Sequence, residues 1–209
     1  MAERTGTMTD RERIEALLRR EKPDRVPIWP CFPASFAIVF AGASIADVYN
    51  KPEVALYAQR KACRDFGWVS SPRIGYAAVG GWEFGGDIKW PSSEFAQAPM
   101  ITRYPVETPD DVMNLQLPDA RNAGIVPIQT EFYKLSSQDS FDNEPFSVTS
   151  TAGGSFTTAG NICGPDNLCR WMIKKPEIAH RLLRLASDYI ICLLYTSDAA
   201  DELDGVDLG

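Results

Sequence analysis

Residues 149–190 read TSTAGGSFTTAGNICGPDNLCRWMIKKPEIAHRLLRLASDYI, and this stretch decides the fold. A β-prone run over residues 146–149 ends at two glycines, and the small polar residues after them predict a loop over residues 153–161. Pro165 and Pro176 then suit the first turns of two helices. One face of the second helix is apolar at helical spacing: Ile178, Leu182, Leu185 and Tyr189. Strand, glycine loop and helices form one βα unit, and such folds bind ligands at the loops after the strands.

The rest of the chain repeats this order of strand and helix. Residues 26–29 form a short apolar run, and residues 68–71 are a second strand candidate, so the sequence predicts two further strands. In the first of them we expect three core side chains: Val26, Ile28 and Trp29. Because helical patterns separate the three predicted strands, the chain is expected to have an α/β fold with a parallel sheet.

Several boundaries carry local signals. Residues 9–12 match the Thr-x-x-Glu capping box of a first helix. A longer helix is predicted from Pro52 to Gly67, where glycine suits the left-handed C-cap. Its expected core side comprises Val54, Tyr57, Ala58, Ala62 and Phe66. Residues 88–90 and 100–104 predict a pair of extended segments outside the main sheet.

The composition is that of an ordinary globular protein, with 209 residues, 44% of them hydrophobic and 23% charged. No apolar run approaches the ~18 residues of a membrane span, and the charged N-terminus lacks the apolar core of a signal peptide. Five cysteines at scattered spacings make a disulfide framework improbable. These features together predict a cytoplasmic protein without a membrane partner.

The net charge of −7 is unevenly distributed. Residues 195–209 contain five acidic residues and no Lys or Arg, so the rest of the chain is close to neutral. The sequence contains no basic stripe, and we therefore expect no nucleic-acid partner.

Two stretches carry a resemblance to a known family. MTDRERIEALLRREKPDRVPIWP (residues 8–30) and GSFTTAGNICGPDNLCRWMIKKPEIAHRLLRLASDYII (residues 154–191) resemble the opening and the mid-chain region of uroporphyrinogen decarboxylase-like proteins. The resemblance implies a (β/α)8 barrel, of which this chain would be an apparently truncated N-terminal portion. It also implies one of two activities, porphyrinogen decarboxylation or methyl transfer between a corrinoid protein and a thiol or folate.

The sequence departs from the decarboxylases at two places. Their Arg-Gln-Ala-Gly-Arg-Tyr motif, which grips substrate carboxylates, is replaced by PCFPASFAIVFAG at residues 30–42, which contains no Arg. Their acidic residue after the second strand has no counterpart in SSPRIGY at residues 70–76. A polycarboxylate substrate needs fixed cations. We therefore favour the methyltransferase branch of one-carbon metabolism; a uroporphyrinogen decarboxylase and a non-catalytic fragment remain the alternatives.

The resemblance also implies a zinc ion and a corrinoid protein for the full-length parent, together with a small-molecule methyl acceptor. In the methyltransferase branch zinc is held by a His-x-Cys pair and a later Cys in the C-terminal half. His180 is the one histidine of this sequence, and it lies in a predicted helix without such a partner. We therefore expect no metal ligands and no bound cofactor in this chain, and we expect it to be inactive alone.

Residues 193–209, LLYTSDAADELDGVDLG, resemble the translated read-through of a sequencing adapter. The expected organisation is therefore a partial barrel domain over residues 1–192, followed by a non-native acidic tail over residues 193–209. An ordinary acidic disordered terminus is the alternative interpretation.

The candidate substrate-binding residues follow the second and third predicted strands. The catalytic residues stay unknown, and each binding candidate also has a structural explanation: helix capping for the threonines, a surface ion pair for Arg73, and core packing for the aromatic residues. Cys163 and Cys169 match no zinc-ligand spacing and are expected to pack. The predicted binding set is Arg73, Tyr76, Trp82, Glu83, Thr157, Thr158 and Asn161.

Overall fold

The computed structural model describes residues 6–91, 98–138 and 153–202, with the side chains of residues 196–202 left out. The described helices are α1 (Asp10–Leu18), α2 (Ala34–Phe40), α3 (Asp47–Asn50), α4 (Pro52–Phe66), α5 (Pro109–Asn114), α6 (Val126–Gln138), α7 (Ser155–Cys163), α8 (Pro165–Lys174) and α9 (Pro176–Glu202). The described strands are β1 (Asp87–Lys89) and β2 (Met100–Arg103). The protein is therefore a mixed α/β protein.

The chain forms two compact units. Of the described residues, the first unit contains 6–75 and 128–138. The second contains 76–91, 98–127 and 153–202. The helices α1–α4 and most of α6 thus belong to the first unit, and the two strands with α5 and α7–α9 belong to the second.

In the first unit, α4 is the central helix. Its Ala55 and Leu56 pack with Ile74 and with Phe132 of α6. Gly67 ends α4 with φ +68°, the left-handed C-cap that the sequence predicts. The buried face of α4 differs from the predicted one, because Tyr57 and Phe66 are both exposed, and the Phe66 ring stacks against the half-buried ring of Trp68.

The N-terminus of α1 follows the predicted capping box. Glu12 N donates to Thr9 Oγ1 at 3.2 Å, and Thr9 N donates to a Glu12 carboxylate oxygen at 2.6 Å. Next to this cap, Arg13 forms a bidentate pair with Asp24, from Nε at 2.7 Å and from Nη2 at 3.0 Å. Arg13 also binds the buried carboxylate of Asp10 at 2.8 Å. This network ties α1 to the chain that follows it.

Two of the predicted parallel strands are extended segments without a regular ladder. Val69 N donates to Ile28 O at 2.8 Å, so residues 26–29 and 68–71 lie side by side. The core prediction for the first segment is wrong, since Val26 is 80% exposed and Ile28 and Trp29 are also exposed. Apolar side chains are buried only where another layer covers them, and the described residues do not cover this segment. The predicted third strand at residues 146–149 lies outside the described residues.

The second unit contains the sheet of the described chain, a two-stranded antiparallel hairpin. It confirms the predicted pair of extended segments, with Ile88 opposite Ile101 and a register irregularity beside Asp87. Arg103 binds the Asp87 carboxylate across the hairpin, from Nε at 2.7 Å.

Three helices build the main core of the second unit. The helices α8 and α9 begin at the predicted prolines, Pro165 and Pro176. The helix α9 continues unbroken to Glu202, so the expected domain boundary after residue 192 falls inside a helix and stays a prediction. The core contains Val106, Val112, Ala159, Ile162, Cys163, Leu168, Trp171, Ile178, Ala179, Leu182 and Ala186.

Residues 153–161 are not a loop, which corrects the prediction for this stretch. Gly154 is the N-cap, and α7 runs from Ser155 to Cys163. The predicted loop rested on the weak helix propensity of glycine and threonine. Core packing overrides that preference. Ala159, Ile162 and Cys163 face the core, and the stabilisation from burying them exceeds the cost of the weak helix propensities.

Truncating Leu182 tests the packing of α9. Leu182 is fully buried, so Leu182→Ala should leave a cavity and lower the free energy of unfolding by about 2–5 kcal/mol. Ile173→Ala is the matched control, since Ile173 is 83% exposed, and should change it by less than about 0.5 kcal/mol. Urea unfolding followed by circular dichroism measures both. Equal losses in the two variants would contradict the packing described for α9.

The Arg13–Asp24 pair predicts that the stability of the protein depends on pH. The hydrogen bonds that Arg13 donates to the Asp24 carboxylate hold the pKa of Asp24 well below its usual range. The stabilisation is therefore present above the ordinary Asp pKa of about 3.9 and is lost as the pH falls toward the lower folded-state value. Asp24→Asn should be less stable than the wild type at pH 7, and the gap should narrow at pH 3. A gap of unchanged size in urea titrations at both pH values would show that the pair does not act this way.

Candidate functional site

The first unit contains a cleft of about 200 Å³ beside the two extended segments. Residues that follow each segment reach it, which is where α/β folds place ligand contacts. Its lining combines aromatic rings with a thiol, a hydroxyl, an amide and one guanidinium: Trp29, Pro30, Cys31, Phe32, Gln59, Ser71 and Arg73.

Arg73 supplies the positive charge of this cleft. Its guanidinium donates from Nη2 to the Cys31 thiol, and within the described ranges no carboxylate forms an ion pair with it. Arg73 therefore has no acidic partner among the described residues for the surface ion pair that was its alternative role. A guanidinium has five N–H donors, so Arg73 keeps donors for an anionic ligand.

The backbone of Arg73 is held by a buried side chain of α4. Arg73 N donates to Gln59 Oε1 at 3.0 Å, and Gln59 Nε2 donates to Ala55 O at 3.2 Å. Gln59 is 3% exposed and its amide also lines the cleft. Gln59 is not among the site residues predicted from the sequence, because nothing in the local pattern links a helix residue to a loop 14 positions later.

In the second unit, Asn161 forms hydrogen bonds to the backbone that follows Tyr76. Its side-chain nitrogen donates to Ala77 O and Val79 O, both at 2.9 Å. Its carbonyl oxygen Oδ1 has no hydrogen-bond partner in the described part of the chain. Thr157 lies one turn earlier on the same face of α7 and is exposed. One amide oxygen and one hydroxyl are therefore available on this face.

Thr158 points to the interior. It is fully buried, and its hydroxyl has no hydrogen-bond partner among the described residues. Gly80, with φ +97°, approaches it so closely that a Cβ at Gly80 would lie 2.8 Å from Thr158 Cγ2. Thr158 thus packs against the turn that contains Gly80.

Glu83 is a buried carboxylate that joins two loops. Its oxygens accept hydrogen bonds from Gly80 N at 2.7 Å and from Ile125 N at 3.3 Å. Gly124 passes directly beside it, because a Cβ there would lie 2.5 Å from a carboxylate oxygen. Burial raises the pKa of Glu83 above its ordinary range, and the two N–H donors offset only part of that effect.

The aromatic candidates form a stack. The rings of Tyr76 and Trp90 lie 6.1 Å apart, and those of Trp82 and Trp90 meet edge to face at 5.2 Å. Such geometry is typical of stabilising aromatic pairs. The structure therefore gives Tyr76 and Trp82 a packing role, and a ligand contact at either residue stays a prediction.

The described residues do not fit a zinc site. No group of three or more His, Cys, Asp or Glu side chains is arranged to hold a metal among them. His180 is exposed on α9. Burial raises the pKa of the Cys163 thiol to about 12, and the side chain packs in the core of the second unit. In the same described part of the chain, no helix combines the length and apolar character that crossing a membrane requires.

The family model described as Uroporphyrinogen decarboxylase (URO-D) matches residues 9–198. The chain therefore belongs to the uroporphyrinogen decarboxylase family. Among solved structures, it is similar to a methyltransferase from Methanosarcina mazei, with a TM-score of 0.69 and 21% sequence identity. The similarity covers 88% of this chain and 53% of the methyltransferase, so the chain spans about half the length of that protein. A comparison with curated proteins gave no significant match.

The buried carboxylate of Glu83 predicts a stability change opposite to that of Asp24. Because the folded-state pKa is raised, its contribution is complete below the ordinary Glu pKa of about 4.3 and is lost as the pH rises through the raised value. Relative to Glu83→Gln, the wild type should therefore lose stability between pH 4 and pH 8.

Urea unfolding at the two pH values measures this difference. Thr158→Val in the same unit is the control, because it removes a hydroxyl and no titratable group, so its difference from the wild type should not change with pH. A constant gap between wild type and Glu83→Gln would refute the assignment.

Proposed function

We propose that this chain is the N-terminal part of a (β/α)8 barrel whose parent is a methyltransferase of the uroporphyrinogen decarboxylase family. The parent would move a methyl group between a corrinoid protein and a thiol or folate acceptor, in cytoplasmic one-carbon metabolism. The family match and the shared fold with a methyltransferase support the proposal. The segment at residues 26–29 is followed by the helices α2–α4 and then by the segment at residues 68–71 beside it, an order that agrees with one βαβ step of a barrel.

The cleft that contains Arg73 is the observation that favours methyl transfer over porphyrinogen decarboxylation. It presents one guanidinium, and its walls include the rings of Trp29 and Phe32. Its volume of about 200 Å³ is smaller than the ~300–1,000 Å³ of pockets for drug-sized ligands. One cation and a small, partly apolar cleft suit a small acceptor with one anionic group, such as coenzyme M.

A tetrapyrrole substrate would require more cations. Uroporphyrinogen carries many carboxylates, and each one removed from water needs a charged or hydrogen-bonding partner. Residues 30–42, which follow the first extended segment, contain no charged side chain at all. Decarboxylation is the alternative that the family name favours, and ligand binding discriminates between the two.

Taken by itself, the second unit also offers groups to a ligand in this proposal. Asn161 and Thr157 would contact such a ligand through the oxygen atoms that the fold leaves available. Thr158, Glu83, Tyr76 and Trp82 would hold the loop and helix that present them. The family resemblance implies zinc for the full-length parent, and the described residues contain no ligand cluster that would hold it.

Arg73→Gln tests the proposal. Coenzyme M should bind the full chain and change its tryptophan fluorescence, since Trp29 lines the cleft. Loss of a charge-assisted hydrogen bond should weaken binding about tenfold to a hundredfold in Arg73→Gln. Arg170→Gln, at an exposed arginine of α8, is the matched control and should bind like the wild type.

Uroporphyrin is the competing ligand. The methyltransferase proposal fails if uroporphyrin binds the wild type more tightly than coenzyme M does. It also fails if Arg73→Gln leaves the affinity for coenzyme M unchanged.

A further inference from the structure

The position of Arg73 in the cleft depends on a hydrogen bond to the helix α4 as well as on its own loop. Gln59 of α4 holds the backbone N–H of Arg73 and is itself almost completely buried. We propose that Gln59 is the positioning residue of the cleft and that its neutral amide keeps the cleft selective for a small anion, a carboxylate, sulfonate or phosphate. This inference rests on the proposed function, in which Arg73 binds the anionic end of the acceptor.

The hydrogen bonds around Gln59 determine which way its amide points. Ala55 O can only accept, so the group that faces it must be the amide NH2, at 3.2 Å. The amide oxygen is then left to face Arg73 N, at 3.0 Å. Both ends of the amide are satisfied at once, which makes it a rigid link between α4 and the cleft.

The guanidinium end of Arg73 is held by a much weaker partner. Its Nη2 donates to the Cys31 thiol, and a thiol sulfur is a poor acceptor. An anion offers two or three strong acceptor oxygens and would replace the thiol at little cost. Arg73 therefore combines a firmly held backbone with donors that a ligand can take over.

The neutral charge of the Gln59 side chain matters because Gln59 lines the same cleft as the guanidinium of Arg73. A carboxylate at position 59 would keep an acceptor for Arg73 N, but it would bring a negative charge to the anion site and lose the donor to Ala55 O. Charge repulsion would then disfavour a bound anion. An apolar side chain would add no charge and would only leave the Arg73 N–H without its acceptor.

Methanesulfonate is the probe that separates these effects, because a sulfonate stays ionised across the useful pH range. Calorimetric titration of the full chain should show binding to the wild type. Gln59→Glu should weaken it at least about tenfold at pH 8, and binding should recover toward the wild type at pH 4.5 as the introduced carboxyl gains a proton. Gln59→Leu should weaken binding to a similar degree at both pH values.

The controls test folding and position. Gln116→Glu introduces the same charge at an exposed glutamine and should leave binding unchanged. Hydrogen exchange of the Arg73 amide should be faster in Gln59→Leu than in the wild type, while the far-ultraviolet circular dichroism stays the same. This pair of measurements distinguishes a displaced loop from an unfolded chain.

The outcomes also separate this inference from the proposed function. If Arg73→Gln abolishes methanesulfonate binding while both Gln59 variants bind like the wild type, the positioning role is overturned and the anion site stands. Wild type that binds no methanesulfonate overturns the inference directly. If methanesulfonate binding depends on Gln59 but uroporphyrin outcompetes coenzyme M, the inference stands and the methyltransferase proposal fails.

Discussion

Backbone polar groups in loops need partners, and the buried or half-buried side chains of Gln59, Glu83 and Asn161 supply such partners beside the binding candidates. Gln59 accepts from Arg73 N, Glu83 accepts from Gly80 N and Ile125 N, and Asn161 donates to Ala77 O and Val79 O. Each bond joins a loop to a part of the chain that is not its immediate neighbour, except for the local bond to Gly80. A loop without a regular ladder has few other sources of order, so its shape depends on these contacts.

This constraint separates two kinds of polar residue among the binding candidates of the two units. Glu83 and the amide nitrogen of Asn161 form hydrogen bonds to the backbone of the loops. Removing either side chain would leave those backbone groups without a hydrogen-bond partner. The guanidinium of Arg73 is not used in this way, because its partner is a thiol. Groups that the fold leaves with spare hydrogen-bonding capacity are the ones on which ligand recognition can act.

Membership of the uroporphyrinogen decarboxylase family does not by itself specify the reaction, since one fold supports several chemistries. The charge of the pocket is more informative. The first unit presents one guanidinium beside aromatic rings in a cleft of about 200 Å³, whereas a polycarboxylate needs several cations. That difference in charge, rather than the likeness of fold, underlies our proposal of a small acceptor.

The sequence by itself determined the features that depend on neighbouring residues. The capping box at residues 9–12, the glycine C-cap at Gly67, the helix starts at Pro165 and Pro176, and the pair of extended segments that forms the hairpin were all predicted from local patterns. These signals are short-range, because a cap or a proline restricts only the dihedral angles and hydrogen bonds within one turn.

Only the tertiary structure decided which faces are buried and which distant groups meet. Residues 155–163 are helical because core burial outweighs their weak helix propensity, and Val26 is exposed although its apolar character predicted a core position. The link between Gln59 and Arg73 also comes from the packing of α4 beside the second extended segment. A linear pattern records neither the layer that covers a side chain nor a contact between separate elements, and those two factors set the geometry of the cleft.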